Sequence, residues 1–274
     1  MEQKTWIITG VSKGLSREIA KQAVAIGDKV IGTVRNEEDK LAFENTVHAQ
    51  AFIIDLANTK QIPALIDSII DQHGRVDVLI NNAGYGAFGM IEEFDEEEVI
   101  NQFNVNVIAV WKLCQSILPY MRSQGRGTIV QISSRAGIMA GVGNGIYASS
   151  KFALEGMSES LKQEVEPFGI KVLLAEIGML RTDFFGKSVK YAKNTISSYI
   201  EIIQDIRANT KKIDGKQTGD PIKVAAAIIQ AVNENVPTFR LPLTAGTIEN
   251  MRAKINAFQD SIAHYENLAR SVDY

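Results

Sequence analysis

The sequence predicts an α/β fold: a doubly wound parallel sheet of six to seven strands with helices on both faces. Three observations support this prediction. Short β-branched runs alternate with longer amphipathic runs, glycines stand where several of the amphipathic runs end, and no internal repeat or Pro/Gly-rich linker interrupts the pattern. We therefore expect one Rossmann-type domain over residues 1–274.

The first part of the chain supplies most of the elements. Strands are predicted at residues 5–9, 29–34, 51–55, 76–81, 127–132 and 170–176, and helices at 14–26, 37–47, 59–72, 95–123 and 145–168. Asp95 with Glu98 three residues later forms a capping-box pattern. Gly27 and Gly169 lie where a helix end favours a positive φ.

The pattern changes after residue 178. Residues 183–219, with the pair Phe184-Phe185 and several lysines, are expected to form a flap over the substrate. Asp220-Pro221 then opens another helix, because proline suits the first helical position. A last strand is predicted at 237–243. An amphipathic helix at 248–269 lies in a C-terminal segment, 244–274, which packs on the domain or on an interface.

Composition narrows the function. The net charge of -3 gives no basic face for nucleic acid or anionic lipid, so neither is expected as a partner. The single cysteine, Cys114, lies in an apolar run typical of a buried thiol, and three scattered histidines make no metal cluster. We therefore expect no metal. Because the sequence has no signal-peptide pattern and no apolar 20-residue span, we expect a cytoplasmic protein.

A glycine loop separates the first strand from the first helix. Glycines there permit a tight turn and bring backbone N–H groups to a helix N-terminus, which favours a pyrophosphate. Glycine also serves ordinary turns, so the loop alone is weak evidence.

Tyr147 and Lys151 are four residues apart on a predicted helix. That spacing places them on one face, where the ammonium is expected to lower the phenol pKa from its usual value near 10. A tyrosine so adjusted suits acid–base catalysis at neutral pH. A plain surface pair on a helix is the structural alternative, and Ser134 can simply end its strand.

Three motifs occur along the chain in a fixed order. They are Thr9-Gly10-Val11-Ser12-Lys13-Gly14-Leu15-Ser16, Asn81-Asn82-Ala83-Gly84, and Tyr147-Ala148-Ser149-Ser150-Lys151 with Ser134 thirteen residues before its tyrosine. Over residues 5–182 this order resembles the short-chain dehydrogenase/reductase family. Ser16 replaces the family's third glycine, and Ile177 replaces the proline before Gly178. The serine is small enough to be tolerated, whereas the lost proline leaves the backbone less fixed.

The resemblance implies an oxidoreductase that transfers a hydride between a nicotinamide dinucleotide and a small carbonyl or alcohol. It implies that Tyr147 donates the proton, Ser134 hydrogen-bonds the substrate oxygen, Lys151 binds the nicotinamide ribose and Asn106 holds a relay water. The implied cofactor-binding residues are Gly10, Ser12, Lys13, Gly14, Leu15, Arg35, Asp55, Leu56, Asn82, Ala83, Gly84, Tyr147, Lys151, Gly178 and Thr182.

The coenzyme is expected to be NADP(H) rather than NAD(H). Val34 stands where an NAD enzyme places an acid for the ribose 2′-hydroxyl. Arg35 and Lys13 can neutralise a 2′-phosphate, although both can also be ordinary surface charges.

Other readings stay open. A non-catalytic NADP(H)-binding regulatory protein would use the same fold, but such proteins usually lack the tyrosine and lysine pair. The substrate is expected to be hydrophobic, with either pocket or core roles for Met139, Val142, Met179, Phe184 and Phe185. Family members commonly form homodimers or homotetramers, and the apolar run at 105–118 is compatible with such an interface.

Overall fold

A computed structural model of the chain describes residues 2–233 and 238–274. Seven parallel strands form one sheet in the order β3-β2-β1-β4-β6-β7-β9, which confirms the doubly wound fold. The strands of this sheet are β1 (Thr5–Ile8), β2 (Lys29–Val34), β3 (Gln50–Ile53), β4 (Val78–Asn81), β6 (Gly127–Ser134), β7 (Ile170–Ile177) and β9 (Arg240–Leu243).

Helices cover both faces of this sheet. They are α1 (Gly14–Ala25), α2 (Glu37–Val47), α3 (Ile62–His73), α4 (Glu96–Phe103), α5 (Ala109–Gln124), α6 (Gly145–Val165), α7 (Ile200–Ile213), α8 (Pro221–Asn233) and α9 (Ala245–Arg270). Alternate residues of β1 point to opposite faces. Ile8 packs in a cluster with α1 and α8, whereas Ile7 packs in another with α3, α5 and α6. Burial on both faces explains why the strands are apolar throughout.

The observed helix boundaries differ from the predicted ones where the α-helix gives way to a π-helical or 3-10 turn. The helix predicted at 95–123 is divided into α4 and α5 by a π-helical turn, Asn104–Ile108. The 59–72 helix begins with a 3-10 turn, Thr59–Gln61, and the 145–168 helix ends with another, Glu166–Phe168. Hydrophobic periodicity alone does not distinguish these turns from an α-helix.

The predicted capping residues and terminal glycines at helix ends are confirmed. Asp95 and Glu98 form the expected capping box at α4, and Asp220 accepts a hydrogen bond from the Ile222 N–H at 2.8 Å. Gly27 and Gly169 have φ of 90° and 71°. These signals act over a few residues, so they can be read without knowing the fold.

A second, two-stranded sheet was not predicted. β5 (Gly86–Phe88) pairs in parallel with β8 (Val189–Tyr191), so the segment after β4 is joined to the 183–219 segment. Three-residue strands are too short to show a period. Glu93 strengthens this connection, because its carboxylate accepts from the Ile196 N–H at 3.1 Å.

Burial of Glu93 corrects one expectation. A run of glutamates such as those at 92, 93 and 96–98 predicts a solvated face, but Glu93 is only 2% exposed. Its carboxylate also accepts from the Met90 N–H at 3.0 Å, which satisfies the buried charge.

The C-terminal elements are close to the predicted ones. The strand expected at 237–243 is observed as β9, and Pro237 lies outside the described residues. α9 begins three residues before the predicted start. Within the described ranges, no helix is long and apolar enough to cross a membrane, and no cluster of His, Cys, Asp and Glu is placed to hold a metal.

A buried charged cluster joins β7, α6 and β9. Glu176 of β7 is 0% exposed, and Arg240 of β9 forms ion pairs with Glu176, Glu155 and Glu159. Burial, with Glu155 adding repulsion, raises the pKa of Glu176 to about 7. One Glu176 oxygen, Oε2, has no hydrogen-bond partner. The carboxyl group is therefore more basic in the folded chain than in the unfolded chain.

Stability is expected to fall as pH rises from 4.5 to about 7, because only the folded state keeps a proton on Glu176 across that window. Glu176→Gln removes this titration. The free energy of unfolding of the wild type, minus that of Glu176→Gln, should therefore fall by on the order of 2–3 kcal/mol between pH 4.5 and pH 8. Urea unfolding at a series of pH values measures it. Glu201→Gln, at an exposed carboxylate, is the control, and parallel curves for wild type and Glu176→Gln would contradict the assignment.

Gly32 of β2 permits a close approach. A Cβ at this position would overlap Val11 Cγ2 and lie 3.0 Å from Phe43 Cε1. Gly32→Ala is therefore expected to lower the free energy of unfolding by about 1–3 kcal/mol, through overpacking. The same substitution at Gly156 of α6 meets nothing within 4 Å and should raise it by about 0.5–1 kcal/mol. Chemical denaturation measures the free energy of unfolding of Gly32→Ala and Gly156→Ala. Equal changes in the two variants would contradict the close packing around Gly32.

Candidate active site

The loop between β1 and α1 turns through two left-handed glycines. Gly10 and Gly14 have φ of 73° and 69°, a region that favours glycine. The Gly10 N–H donates to Thr33 Oγ1 at 3.1 Å, and a Cβ on Gly10 would lie 3.1 Å from Ala83 Cβ. The loop is therefore packed tightly against the segment that follows β4.

Ser16, which stands at the position of the family's third glycine, forms a hydrogen bond within the loop. Its hydroxyl is buried and donates to the Gly10 carbonyl at 2.6 Å. The serine therefore fits beneath the loop and fixes its shape.

The N-terminus of α1 can accept an anion. Lys13 precedes the helix in an extended conformation, no side chain caps the first turn, and that turn contains no acidic residue. Its N–H groups and the positive end of the helix dipole fit the pyrophosphate of a dinucleotide. Leu15 has a buried side chain, so its backbone alone is available to a ligand. Ser12 is held through its carbonyl, which accepts from Arg17 at 3.0 Å.

Lys13 also contacts the 183–219 segment. Its ammonium lies 3.9 Å from the carboxylate of Asp183, and both side chains are largely exposed. An exposed pair of this kind contributes little to stability, so Lys13 is free to exchange partners.

The segment after β4 is held by Thr9. The backbone N–H groups of Asn82 and Ala83 donate to Thr9 Oγ1 at 2.9 and 3.0 Å. A Cβ on Gly84 would lie 3.0 Å from Asn106 Oδ1. The second motif therefore supports the first loop on one side and contacts Asn106 on the other.

Asn106 lies in the π-helical turn and connects two elements. Its Nδ2 donates to the Tyr85 carbonyl and to Ser150 Oγ, each at 3.1 Å, and its Oδ1 accepts from the Tyr85 N–H at 3.2 Å. Both side-chain donors are used within the protein. A relay water here would therefore have to bond to remaining acceptors.

Tyr147 and Ser134 lie close together. Tyr147 lies in the first turn of α6 and is 8% exposed. Phe88 stacks on its ring at 6.3 Å between centroids, and Phe184 lies at 6.0 Å. Burial raises the pKa of the phenol, and a hydrogen bond with Ser134 opposes that rise. The proton is therefore held firmly on Tyr147 at neutral pH.

Lys151 does not lower the phenol pKa in this geometry, contrary to the expectation. Its Nζ donates to the Ile132 carbonyl at 2.8 Å and lies 6.0 Å from the centroid of the Tyr147 ring. Burial lowers the pKa of Lys151 to about 8, and the nearby Glu155 carboxylate opposes this. For both groups, desolvation is the largest cause of the pKa shift.

The end of β7 approaches the glycine loop. Gly178 donates to the Leu243 carbonyl at 3.2 Å, and a Cβ on Gly178 would overlap Thr244 Oγ1, so the glycine is required by close packing. Thr182 lies across from Gly14, since its Cβ is 3.7 Å from the position that a Gly14 Cβ would take. Thr182 can therefore reach a dinucleotide seated on the loop.

The ends of β2 and β3 lie side by side. Val34 pairs with Ile53, and Arg35 follows as an exposed side chain. Asp55 is exposed and accepts from the Ala57 N–H at 3.0 Å, whereas Leu56 is buried. These residues form the far rim of the same edge of the sheet.

A cleft of about 390 Å³ lies at the start of α6. It is lined by Gly89, Met90, Ile91, Glu92, Gly141, Val142, Gly143, Gly145 and Tyr199. Val142 is 71% exposed there, so it lies outside the core, whereas Phe184 packs directly on the tyrosine ring.

Three contributors were missed by sequence reasoning. Arg17 bonds the glycine loop to α2, Phe88 covers Tyr147, and Glu155 acts on Lys151. Only Glu155 had a readable signal, because it lies one helical turn after Lys151.

Several known proteins are similar to this chain. The model of the short chain dehydrogenase family matches residues 4–193. A 3-ketodihydrosphingosine reductase of Bacteroides thetaiotaomicron is 36% identical over 249 residues, which cover 88% of this chain and 87% of that protein. An NADPH-dependent 3-dehydrocapnine reductase of Ornithobacterium rhinotracheale is 35% identical over 195 residues, or 66% of this chain and 67% of the relative.

A solved structure agrees over the whole chain. A short-chain dehydrogenase from Streptomyces avermitilis has a TM-score of 0.90 and 35% identity, and 99% of each chain is covered. The family match, the relatives and the shared architecture together show that the chain belongs to the short-chain dehydrogenase family of oxidoreductases.

Proposed function

We propose that this oxidoreductase reduces a hydrophobic ketone with NADPH, and that Tyr147 is its proton donor. The observation that carries the proposal is the buried Tyr147 phenol, which lies beside Ser134 at the same edge of the sheet as the glycine loop. When bound, NADPH supplies the hydride.

The raised phenol pKa favours reduction. A neutral phenol keeps the proton that a carbonyl oxygen needs as negative charge develops on it. The Ser134 hydroxyl, which lies beside the phenol, would hydrogen-bond that same oxygen. Lys151, whose Nζ lies 6.0 Å from the centroid of the Tyr147 ring, is near enough to the phenol to bind the nicotinamide ribose beside it.

NADPH is favoured over NADH by the charges on the rim. Val34 is buried and apolar where an acid would accept from the ribose 2′-hydroxyl, and the exposed Arg35 follows it. Lys13 supplies a second exposed cation on the glycine loop. One relative is itself named as NADPH-dependent.

The surroundings of Tyr147 favour an apolar substrate. Phe88, Phe184 and Phe185 form ring contacts with it or with one another. Two relatives are named for the reduction of 3-ketodihydrosphingosine and 3-dehydrocapnine. 3-Ketodihydrosphingosine is therefore the first ketone to be assayed. The non-catalytic alternative has no observation in its favour, because Tyr147, Ser134 and Lys151 are all present.

Tyr147→Phe is expected to lower kcat by at least about 100-fold, the usual contribution of a general acid, with the Kd of NADPH nearly unchanged. Steady-state kinetics and a fluorescence titration measure the two quantities. Tyr120→Phe is the matched control, because Tyr120 bonds Asp67 on the surface and should keep full activity. Retention of more than a few per cent of kcat by Tyr147→Phe would exclude it as the donor.

Arg35→Ala is expected to weaken NADPH binding by about tenfold or more, because a charge-assisted bond to the 2′-phosphate is lost. NADH binding should stay unchanged. The control is Arg122→Ala, which removes an exposed cation of α5. Titration of each variant with both nucleotides tests the assignment, and a wild-type preference for NADH would overturn it.

A further inference from the structure

The second half of α9 packs on nothing in the described structure. α9 first lies against β9 and against the turn after β6, where Thr247 is buried and Lys254 lies 5.7 Å from the ring of Phe152. From Ile255 onward every residue is exposed. About four turns of helix therefore project into solvent, although most helices in proteins owe their stability to a packed apolar face.

The projecting helix carries an apolar stripe with alternating spacings of three and four. Its members are Ile248, Met251, Ile255, Phe258, Ile262, Tyr265, Ala269 and, just beyond the helix, Val272. More than half of each side chain from Ile255 to Tyr265 in this stripe is exposed. This spacing is the seam of a coiled coil, and monomers rarely leave so long an apolar stripe uncovered.

We propose that α9 pairs with α9 of a second copy of this chain as an antiparallel coiled coil. In that orientation the stripe residues pair about a twofold axis near Asp260, so that Phe258 meets Ile262 of the partner subunit and Ile255 meets the partner subunit's Tyr265. The exposed stripe amounts to on the order of 600 Å² per copy, near the roughly 800 Å² per partner of a stable interface.

Charges beside the stripe select the antiparallel orientation. Reversed copies place Arg252 opposite Glu266 of the partner subunit, twice by symmetry, with Gln259 facing its own copy on the axis. Glu266 already pairs with Arg270 in the same helix, 2.7 Å away, and both groups are exposed. A parallel pair would instead place Lys254 near Gln259 and Ser261 near Glu266, with no opposite charges matched.

The charges of α9 also favour a second copy of the chain, rather than a membrane surface, as the partner of the apolar stripe. Helices that lie on anionic lipid are rich in Lys and Arg on their polar face. α9 has three acidic and three basic residues, which are Glu249, Asp260 and Glu266 with Arg252, Lys254 and Arg270. The net charge of α9 is therefore zero, which favours pairing with a second copy of the same helix.

Substitutions on the stripe test the pairing in the full chain. Phe258→Glu with Ile262→Glu should halve the mass of the wild-type assembly in light scattering after gel filtration. Ala257→Glu places the same side chain on the far face and should leave the mass unchanged. A monomeric wild type, or an unchanged mass for the double variant, would overturn the proposal.

Engineered cysteines test the orientation, because the natural Cys114 is buried and does not interfere. Gln259→Cys should form a disulfide-linked dimer on oxidation, whereas Arg252→Cys should not, since antiparallel pairing separates its two copies. Cross-linking of Arg252→Cys would show a parallel pair and refute the orientation.

A charge exchange supplies an independent check. R252E and E266R should each weaken the dimer several-fold by opposing like charges, and the double variant R252E/E266R should restore it. Failure of the double variant to recover would refute the charge pairing. Co-sedimentation of a monomeric wild type with phosphatidylglycerol vesicles would assign the stripe to a membrane surface instead.

Discussion

The parallel direction of all seven strands is the constraint on which the rest of the structure depends. It brings the carboxyl ends of β1, β4, β6 and β7 to one edge, so that residues far apart in sequence meet there. The contact between Gly10 and Ala83, with Thr9 bonding the segment after β4, holds the first two of these ends together. The glycine loop and the proposed catalytic side chains are therefore positioned by the sheet itself.

Burial of ionisable groups is the second organising feature. Lys151 and Tyr147 are both desolvated. Burial lowers the pKa of Lys151 and raises the pKa of Tyr147, so both shifts favour the neutral form of the group. Behind them, Glu155 acts on Lys151 and is held by Ser133 and Arg240. Such groups cost stability, and the fold retains them at the edge where proton transfer is proposed. Phe88 and Phe184 pack on the Tyr147 ring and contribute to its burial.

Much of the fold could be predicted from the sequence, because strands buried on both faces give apolar runs and helix ends give local signals such as Asp95 with Glu98. The paired strands β5 and β8 were missed because each has three residues, and Glu93 was misjudged because its partner, Ile196, lies a hundred residues away. In the site, the pairing of Ser134 with Tyr147 came from the family resemblance, and the two side chains lie close together in the structure. The direction of the phenol pKa was wrong, since spacing reveals neither burial nor the Ile132 carbonyl that binds Lys151.

The central claim is that the loops at this edge bind NADPH and present it to a ketone beside Tyr147. A stopped-flow measurement on the wild-type protein tests both parts at once, by mixing it with NADPH and then with 3-ketodihydrosphingosine while the nucleotide fluorescence and absorbance are followed. The account predicts saturable binding of NADPH, followed by loss of its absorbance when the ketone is added. A protein that binds neither NADPH nor NADH would contradict the account, whereas binding without turnover of any ketone in a broader panel would contradict the catalytic part alone.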